Sequence, residues 1–163
     1  MIRLCGKFFE DFRVNEKFVT PARTVTETDL VLFAALTGDY NPIHTDEEFA
    51  KKNSIFKTRV LHGLYTLSIS EGLIFRLGLL DGVPAASLGW NNVKFTKPVF
   101  IGDTLHLELT VVEKRESKSN PTMGVIVIHY TMKNQRDEVV MEADHALFVG
   151  KKGNYSTMKN ISS

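Results

Sequence analysis

The 163-residue chain contains a single cysteine, Cys5, and no long apolar run. One cysteine excludes an internal disulfide and is typical of a protein from a reducing compartment, so we expect a cytoplasmic location and a spectator role for Cys5. The first residues mix charged with apolar side chains, unlike a signal peptide. A membrane span needs about eighteen consecutive apolar residues, so no span is predicted.

The chain also lacks an excess of charge of either sign. Its 20 lysines and arginines nearly balance 19 acidic residues, for a formal net charge of +1. Without a global field, neither nucleic acid nor an anionic membrane is an expected partner. The 43% hydrophobic content suits one globular domain, which we expect over residues 1–150, with a frayed polar tail over residues 151–163.

A helix and a bend are predicted in the first third of the chain. Thr26 is a candidate N-cap, and apolar side chains recur at helical spacing over residues 27–36. Gly38 can end that helix in a left-handed conformation, and Pro42 is expected to keep it from resuming. Residues 39–44 are therefore predicted to form an ordered bend.

Two further helices are predicted after the bend. Thr45 and Glu48 form a T-x-x-E capping box for a short helix over residues 46–52, with Phe49 as its inward anchor. The apolar segment that follows "HG" predicts a long helix starting near Gly63 and buried around much of its circumference.

Beyond that helix the apolar period changes to two, which predicts strands. A further strand, interrupted by Pro21, is predicted near the amino terminus. The order predicts an α+β fold, a single domain in which an antiparallel β-sheet wraps around a long central helix. The predicted strands cover residues 17–25, 93–99, 104–111, 124–133 and 139–149.

The stretch "TGDYNPIH" places an aspartate and a histidine, Asp39 and His44, on either side of an Asn-Pro pair. A carboxylate and a neutral imidazole can share one water molecule if each comes within about 3 Å of it, so their tips must lie within roughly 6 Å. Five extended residues would span roughly 17 Å. The Asn-Pro bend is therefore needed to bring the two side chains together.

The longer string "TGDYNPIHTDEEFA" resembles the signature of MaoC-like dehydratases, the family that includes (R)-specific enoyl-CoA hydratases. The similarity continues through "HGL" at residues 62–64 and "VKFTKPVFIGDTL" at residues 93–105. The resemblance implies the hot dog fold and a homodimer, or a dimer-based oligomer, with active sites at the subunit interface.

The resemblance also implies a reaction and its residues. Asp39 and His44 would be the catalytic pair, and the Gly63 N–H would hold the thioester carbonyl, while Asn41 and His62 would support the site. The reaction would be reversible hydration of a trans-2-enoyl thioester to an (R)-3-hydroxyacyl product. No metal or redox cofactor would be needed, because coenzyme A or acyl carrier protein enters only as part of the substrate. Fatty-acid breakdown, polyester precursor supply and specialised acid metabolism all use this chemistry.

Some features leave alternatives open. Glu71 stands where some relatives have serine, and Arg59 where some have proline, which leaves substrate choice undecided. A thioesterase and a non-catalytic acyl-thioester-binding module remain alternatives on the same fold. A metal site built from His44, Asp46 and His62 fits no compact zinc spacing, so no metal is expected.

Overall fold

The computed structural model describes residues 6–154 and has one antiparallel sheet packed against a few helices. A short 3-10 helix at Phe9–Asp11 precedes them. The helices are α1 (Glu27–Thr37), α2 (Pro42–Thr45), α3 (Glu47–Asn53) and α4 (Gly63–Phe75). The strands are β1 (Lys17–Val19), β2 (Arg23–Thr24), β3 (Ala85–Phe95), β4 (Thr104–Glu116), β5 (Met123–Lys133) and β6 (Val139–Gly150).

The sheet runs in the order β1-β4-β5-β6-β3, and β2 also pairs with β4. Leu109 of β4 is opposite Tyr130 of β5, which is opposite Ala143 of β6, and all three are buried. The predicted alternation is confirmed, because the apolar residues of β4 face the core at every second position. These residues are Leu105, Leu107, Leu109 and Val111.

The central helix α4 packs one side onto the sheet, with Ile69 and Leu73 in the main core. Its start near Gly63 is confirmed. Its predicted burial around much of the circumference is met only in part by the single chain, since Leu64 is 65% and Phe75 is 74% exposed. The chain covers only one face of this apolar helix.

Strand β3 differs most from its predicted bounds. It begins at Ala85, eight residues before the predicted start at Val93, and ends at Phe95, before the predicted limit at Val99. Alanine, serine, glycine and asparagine favour strands weakly, so its first half carried little signal. Pro98 offers no N–H for a ladder bond. β3 pairs only with β6, and its other edge is unpaired within residues 6–154.

The capping prediction for α3 is wrong. Asp46, not Thr45, is the N-cap, and its carboxylate accepts a hydrogen bond from the Phe49 N–H at 2.9 Å. Thr45 instead donates its hydroxyl to the Tyr40 carbonyl, closing the preceding turn. Phe49 is 38% exposed, and Ala50 is the buried residue of this helix.

The two ends of the chain are described only in part. Near the amino terminus, two short strands flank Pro21, as predicted. Cys5 and residues 155–163, most of the predicted tail, lie outside the described residues. The start of that tail is attached to the fold, because the Lys151 N–H bonds the Thr122 carbonyl and the Lys152 N–H bonds the Glu10 carboxylate. Among the described helices, none has the length and apolar character needed to cross a membrane.

Candidate active site

The bend after α1 is built by backbone geometry. Gly38 ends α1 in a left-handed conformation, with φ of +77°, and its N–H bonds the Ala34 carbonyl at 2.9 Å. The Thr37 hydroxyl accepts a hydrogen bond from the Asp39 N–H at 3.2 Å. The predicted helix stop at Gly38 is confirmed, and the bonds that follow it fix the direction of Asp39.

Asn41 and Pro42 build the second half of the bend in an unexpected way. Pro42 is the first residue of the short helix α2, so a new helical turn begins inside the predicted bend, although α1 does not resume. Proline is favoured at this position because its missing N–H has no partner there in any helix. The Asn41 side chain caps the turn by accepting from the Ile43 N–H at 3.1 Å. The Asn41 N–H in turn bonds the Asp39 carboxylate at 3.2 Å.

His44 lies on α2 and is buried, with only 8% of its surface exposed. Its Nδ1 is 2.6 Å from the Val60 carbonyl, which can only accept, so Nδ1 carries the proton. The Nε2 atom of the neutral ring is then left with a free lone pair. Burial lowers the pKa of His44 below its usual value, and the neighbouring His62 adds to this, while Val60 and Asp39 act in the opposite direction. The ring is therefore a neutral proton acceptor near pH 7.

His62 caps α4 and supports both members of the pair. It is buried, and its ring stacks on His44 with centroids 3.8 Å apart. Its Nε2 donates to the Asp39 backbone carbonyl at 3.1 Å and lies 3.9 Å from the Asp39 carboxylate. Its Nδ1 is buried with no hydrogen-bond partner among residues 6–154.

The polar tips of Asp39, His44 and His62 converge. One polar side-chain atom from each lies within 4.8 Å of the others. Asp39 is 54% exposed, so its carboxylate lies at the solvent side of the group while the two rings are buried. The separation of at most 4.8 Å between the polar atoms is within the limit of roughly 6 Å for two groups that hold one water molecule.

The same three residues form a poor metal site. A zinc ion bound by histidine lies in the plane of the imidazole at about 2.0–2.1 Å from its nitrogen. The His62 Nε2 donates to the Asp39 backbone carbonyl in this arrangement, so that nitrogen has no lone pair for an ion. Asp46, the carboxylate considered from sequence, instead caps α3.

A cavity of about 370 Å³ lies beside His44 and reaches the amino end of α4. Its wall includes Gly63, whose N–H has no acceptor among residues 6–154. A Cβ at this position would meet the Phe95 ring at 3.0 Å, so the ring would have to move by a few tenths of an ångström to admit a larger residue. Most of the remaining wall is apolar, apart from Thr66, Thr96 and Lys97. The cavity thus has a proton acceptor on one wall and a free backbone donor on another.

Arg59 holds the segment that carries the Val60 carbonyl, a role that the sequence did not reveal. Its guanidinium bonds both carboxylate oxygens of Glu27 at 2.7 Å and one of Glu47 at 3.3 Å. The Thr58 hydroxyl and the Arg59 N–H also bond Glu47. α1 and α3 thereby fix the segment next to Val60. A backbone carbonyl has no sequence signature, and the only available signal was Arg59 itself at a position where some relatives have proline.

The relatives found by sequence comparison carry related names: a MaoC protein, a hydratase and a dehydratase. The chain is 39% identical to protein MaoC of Klebsiella aerogenes over 66% of its length and 31% of that protein. It is 38% identical to an (R)-specific enoyl-CoA hydratase of Rhodospirillum rubrum, covering 64% and 69% of the two chains. It is 32% identical to a 3-hydroxybutyryl-CoA dehydratase of Methylorubrum extorquens, covering 89% and 85%. The chain thus spans about a third of the Klebsiella protein but most of the other two.

Comparison with solved structures establishes the fold. A Mycobacterium tuberculosis protein with a double hotdog fold superposes with a TM-score of 0.77 at 19% identity, covering 95% of this chain and 47% of that one. An Archaeoglobus protein described as a monoamine oxidase regulatory protein gives a TM-score of 0.82 at 39% identity, covering 90% and 96%. The domain is a single hot dog fold. The MaoC-like domain model matches residues 11–146, and the chain belongs to that family.

Replacing Arg59 by alanine is predicted to lower the free energy of unfolding by about 1–2 kcal/mol, because Glu27 and Glu47 lose a shared partner. Urea denaturation measures this directly. Arg115→Ala is the control, since within residues 6–154 Arg115 has an ion pair only with the exposed Glu113, and the variant is expected to stay within about 0.5 kcal/mol. Equal effects of the two substitutions would contradict a special role for Arg59.

Proposed function

We propose that the protein catalyses the reversible (R)-specific hydration of a trans-2-enoyl thioester. The observation that carries this proposal is that polar side-chain atoms of Asp39 and His44 lie within 4.8 Å of each other, while His44 and Gly63 both line one cavity. Relatives named (R)-specific enoyl-CoA hydratase and 3-hydroxybutyryl-CoA dehydratase support the same chemistry.

In the proposed reaction, the thioester carbonyl accepts a hydrogen bond from the Gly63 N–H. A water molecule held by Asp39 and His44 attacks Cβ, and its proton passes to the neutral imidazole. The alkene electrons move toward the carbonyl oxygen, where the N–H at the amino end of α4 stabilises the developing enolate. One member of the pair then returns a proton to Cα. These steps need no metal or redox cofactor.

Two alternatives share this cavity. A thioesterase would direct the same water to the carbonyl carbon, and a binding module would hold the thioester without reaction. The pairing of a free imidazole lone pair with a carboxylate favours a reaction over binding alone. Crotonyl-CoA separates the three, because hydration removes the enoyl absorbance, hydrolysis releases a thiol, and binding does neither.

Asp39→Asn and His44→Ala are each predicted to lower the hydration rate of crotonyl-CoA by about a hundredfold or more, since each removes a group that holds or deprotonates the water. The loss of enoyl absorbance is followed spectrophotometrically. The controls are Asp137→Asn, in the turn between β5 and β6, and His129→Gln, on β5; neither residue lines the cavity, and both variants are expected to keep full activity. A fully active Asp39 or His44 variant with native circular dichroism would refute the assignment.

The identity of the thioester carrier also belongs to this proposal. Lys97 lies in the cavity wall, is half-exposed and bonds Glu138 at 2.7 Å, so it can turn toward an anionic group at the mouth. Coenzyme A and acyl carrier protein both present a phosphate on the thiol-bearing arm. We propose coenzyme A as the carrier. We also propose a cytoplasmic setting, which agrees with the single cysteine.

We also propose that two copies of the chain form a homodimer. The stripe of α4 that the chain leaves uncovered includes Leu64, Ser68, Gly72 and Phe75, and the outer edge of β3 is unpaired within residues 6–154. Strand β3 also carries two exposed apolar residues, Leu88 and Phe95. An unpaired strand edge and an exposed apolar helix face both favour contact with another protein surface. In a two-fold symmetric dimer, the same surface of a second copy supplies that contact.

Sedimentation analysis is predicted to give about twice the chain mass of 18.4 kDa at micromolar concentration. Phe75→Glu is expected to shift the protein toward the monomer, because it places a charge in the apolar stripe. Val112→Glu is the control, since Val112 is an exposed apolar residue on β4, away from the stripe. A monomeric wild-type protein would contradict the proposed dimer.

A further inference from the structure

Four aromatic rings form a connected series of contacts that ends at His44. His44 stacks on His62 with ring centroids 3.8 Å apart, and the centroids of His62 and Phe33 are 5.0 Å apart. Phe33 in turn contacts Tyr65, again with centroids 5.0 Å apart. We call these four residues the ring column. Phe33 belongs to α1 and connects Tyr65 of α4 to the two histidines.

The Tyr65 end of the ring column is fixed by hydrogen bonds. The Tyr65 hydroxyl donates to the Asp29 carboxylate at 2.6 Å, and Asp29 is only 4% exposed. The Arg23 guanidinium and the Thr26 N–H also donate to this carboxylate, so several donors hold it in place. Tyr65 is therefore a fixed support for the ring of Phe33.

The His62 ring depends on packing for its orientation. Its only hydrogen bond within residues 6–154 runs from Nε2 to the Asp39 carbonyl, because its Nδ1 has no partner. The last side-chain torsion of histidine has a broad energy minimum, so one hydrogen bond leaves the ring free to tilt. His44 and Phe33 are the two rings that contact His62 and limit this motion. The His62 ring in turn contacts both members of the Asp39 and His44 pair.

Neither core packing nor contact with a substrate accounts for an aromatic side chain at Phe33. The ring is half-buried and lies outside the main hydrophobic core, whereas Leu30 and Ala34 of the same helix are almost fully buried. Phe33 is also absent from the wall of the cavity beside His44. The ring contacts that it makes are with His62 and Tyr65. A role that acts through His62 explains the position.

The backbone of Phe33 supplies a second, separate link to Asp39. Its carbonyl accepts a hydrogen bond from the Thr37 hydroxyl at 2.7 Å, and the Thr37 oxygen accepts one from the Asp39 N–H. A side-chain substitution at Phe33 keeps that carbonyl. Such a substitution therefore removes the ring contact alone, and its effect reports on the ring.

We propose that Phe33 is a positioning residue for the hydration reaction and acts through the ring of His62. The Phe33 ring, supported by Tyr65, restrains His62. His62 then keeps the Asp39 backbone and the His44 ring in the geometry that lets the pair share one water molecule. The inference rests on the proposed function and adds to it a residue of α1 that does not line the cavity.

The first test compares Phe33→Leu with Phe33→Tyr, with crotonyl-CoA as the substrate. Leucine is a good helix former, so α1 is expected to stay folded. Phe33→Leu is expected to lower kcat about tenfold and to change KM by less than about twofold, because the ring orients the pair and does not bind the thioester. Phe33→Tyr keeps an aromatic ring and is expected to retain kcat within about twofold.

Phe49→Leu is the matched control for this comparison. Phe49 is a partly exposed phenylalanine on another helix, α3, and lies outside both the ring column and the cavity wall. Its replacement by leucine is expected to leave kcat and KM unchanged.

A second measurement does not depend on turnover. The His62 Nε2–H is buried and hydrogen-bonded, so its proton is expected to exchange slowly with water and to give a signal in ¹H–¹⁵N spectra at pH 7. Phe33→Leu is expected to broaden or abolish that signal, because the ring of His62 is no longer restrained. Phe33→Tyr and Phe49→Leu are expected to keep it.

Each result decides for or against the inference. An unchanged His62 signal in Phe33→Leu would overturn it whatever the kcat, because any effect would then not pass through that ring. Wild-type kcat in Phe33→Leu, or an equal loss of kcat in Phe33→Leu and Phe33→Tyr, would overturn it as well. If the wild-type protein does not hydrate crotonyl-CoA, the proposed function fails, and the His62 signal alone decides whether Phe33 positions the ring.

Discussion

The hydrogen bond from the His44 Nδ1 to the Val60 carbonyl, 2.6 Å long, is the contact on which the site depends. It fixes the tautomer of a buried imidazole and so leaves the Nε2 lone pair free. Had the proton been on Nε2, the same ring would be a donor and could not accept a proton from water. In the proposed reaction, the direction of proton transfer is thus set by a backbone oxygen outside residues 39–44.

The rest of the site keeps that bond and its surroundings in place. The left-handed Gly38 and the Asn41-capped turn bring Asp39 back toward His44, and the stacked ring of His62 fixes the Asp39 backbone. Arg59 ties the segment beside Val60 to two helices. The ring, the carboxylate and the free N–H of Gly63 come from three different local structures. Their shared geometry is therefore a property of the fold.

Much of this architecture could be predicted from local chemistry. Gly38 has a clear reason to end a helix, and the period of two over residues 104–111 directly predicts a half-buried strand. The errors arise where two local solutions compete or where burial depends on distant parts of the chain. Thr45 and Asp46 are both good caps, and the structure uses Thr45 to close α2 instead. The outer face of α4 is as apolar as its inner face, so sequence could not show that the single chain leaves it uncovered.

In the candidate site, too, some features could be predicted from the local sequence and others depend on distant parts of the chain. The motif identified Asp39 and His44, and their convergence followed from the bend between them. The Val60 carbonyl, the Arg59 brace and the packing of Phe33 on His62 depend on contacts between segments far apart in sequence. No periodicity or spacing reports such contacts.

The tautomer of His44 is the most direct test of this account. Long-range ¹H–¹⁵N correlation of the histidine rings at pH 7 distinguishes a protonated Nδ1 from a protonated Nε2. The account predicts a neutral ring with its proton on Nδ1. A neutral ring with its proton on Nε2, or a fully protonated ring at that pH, would contradict it.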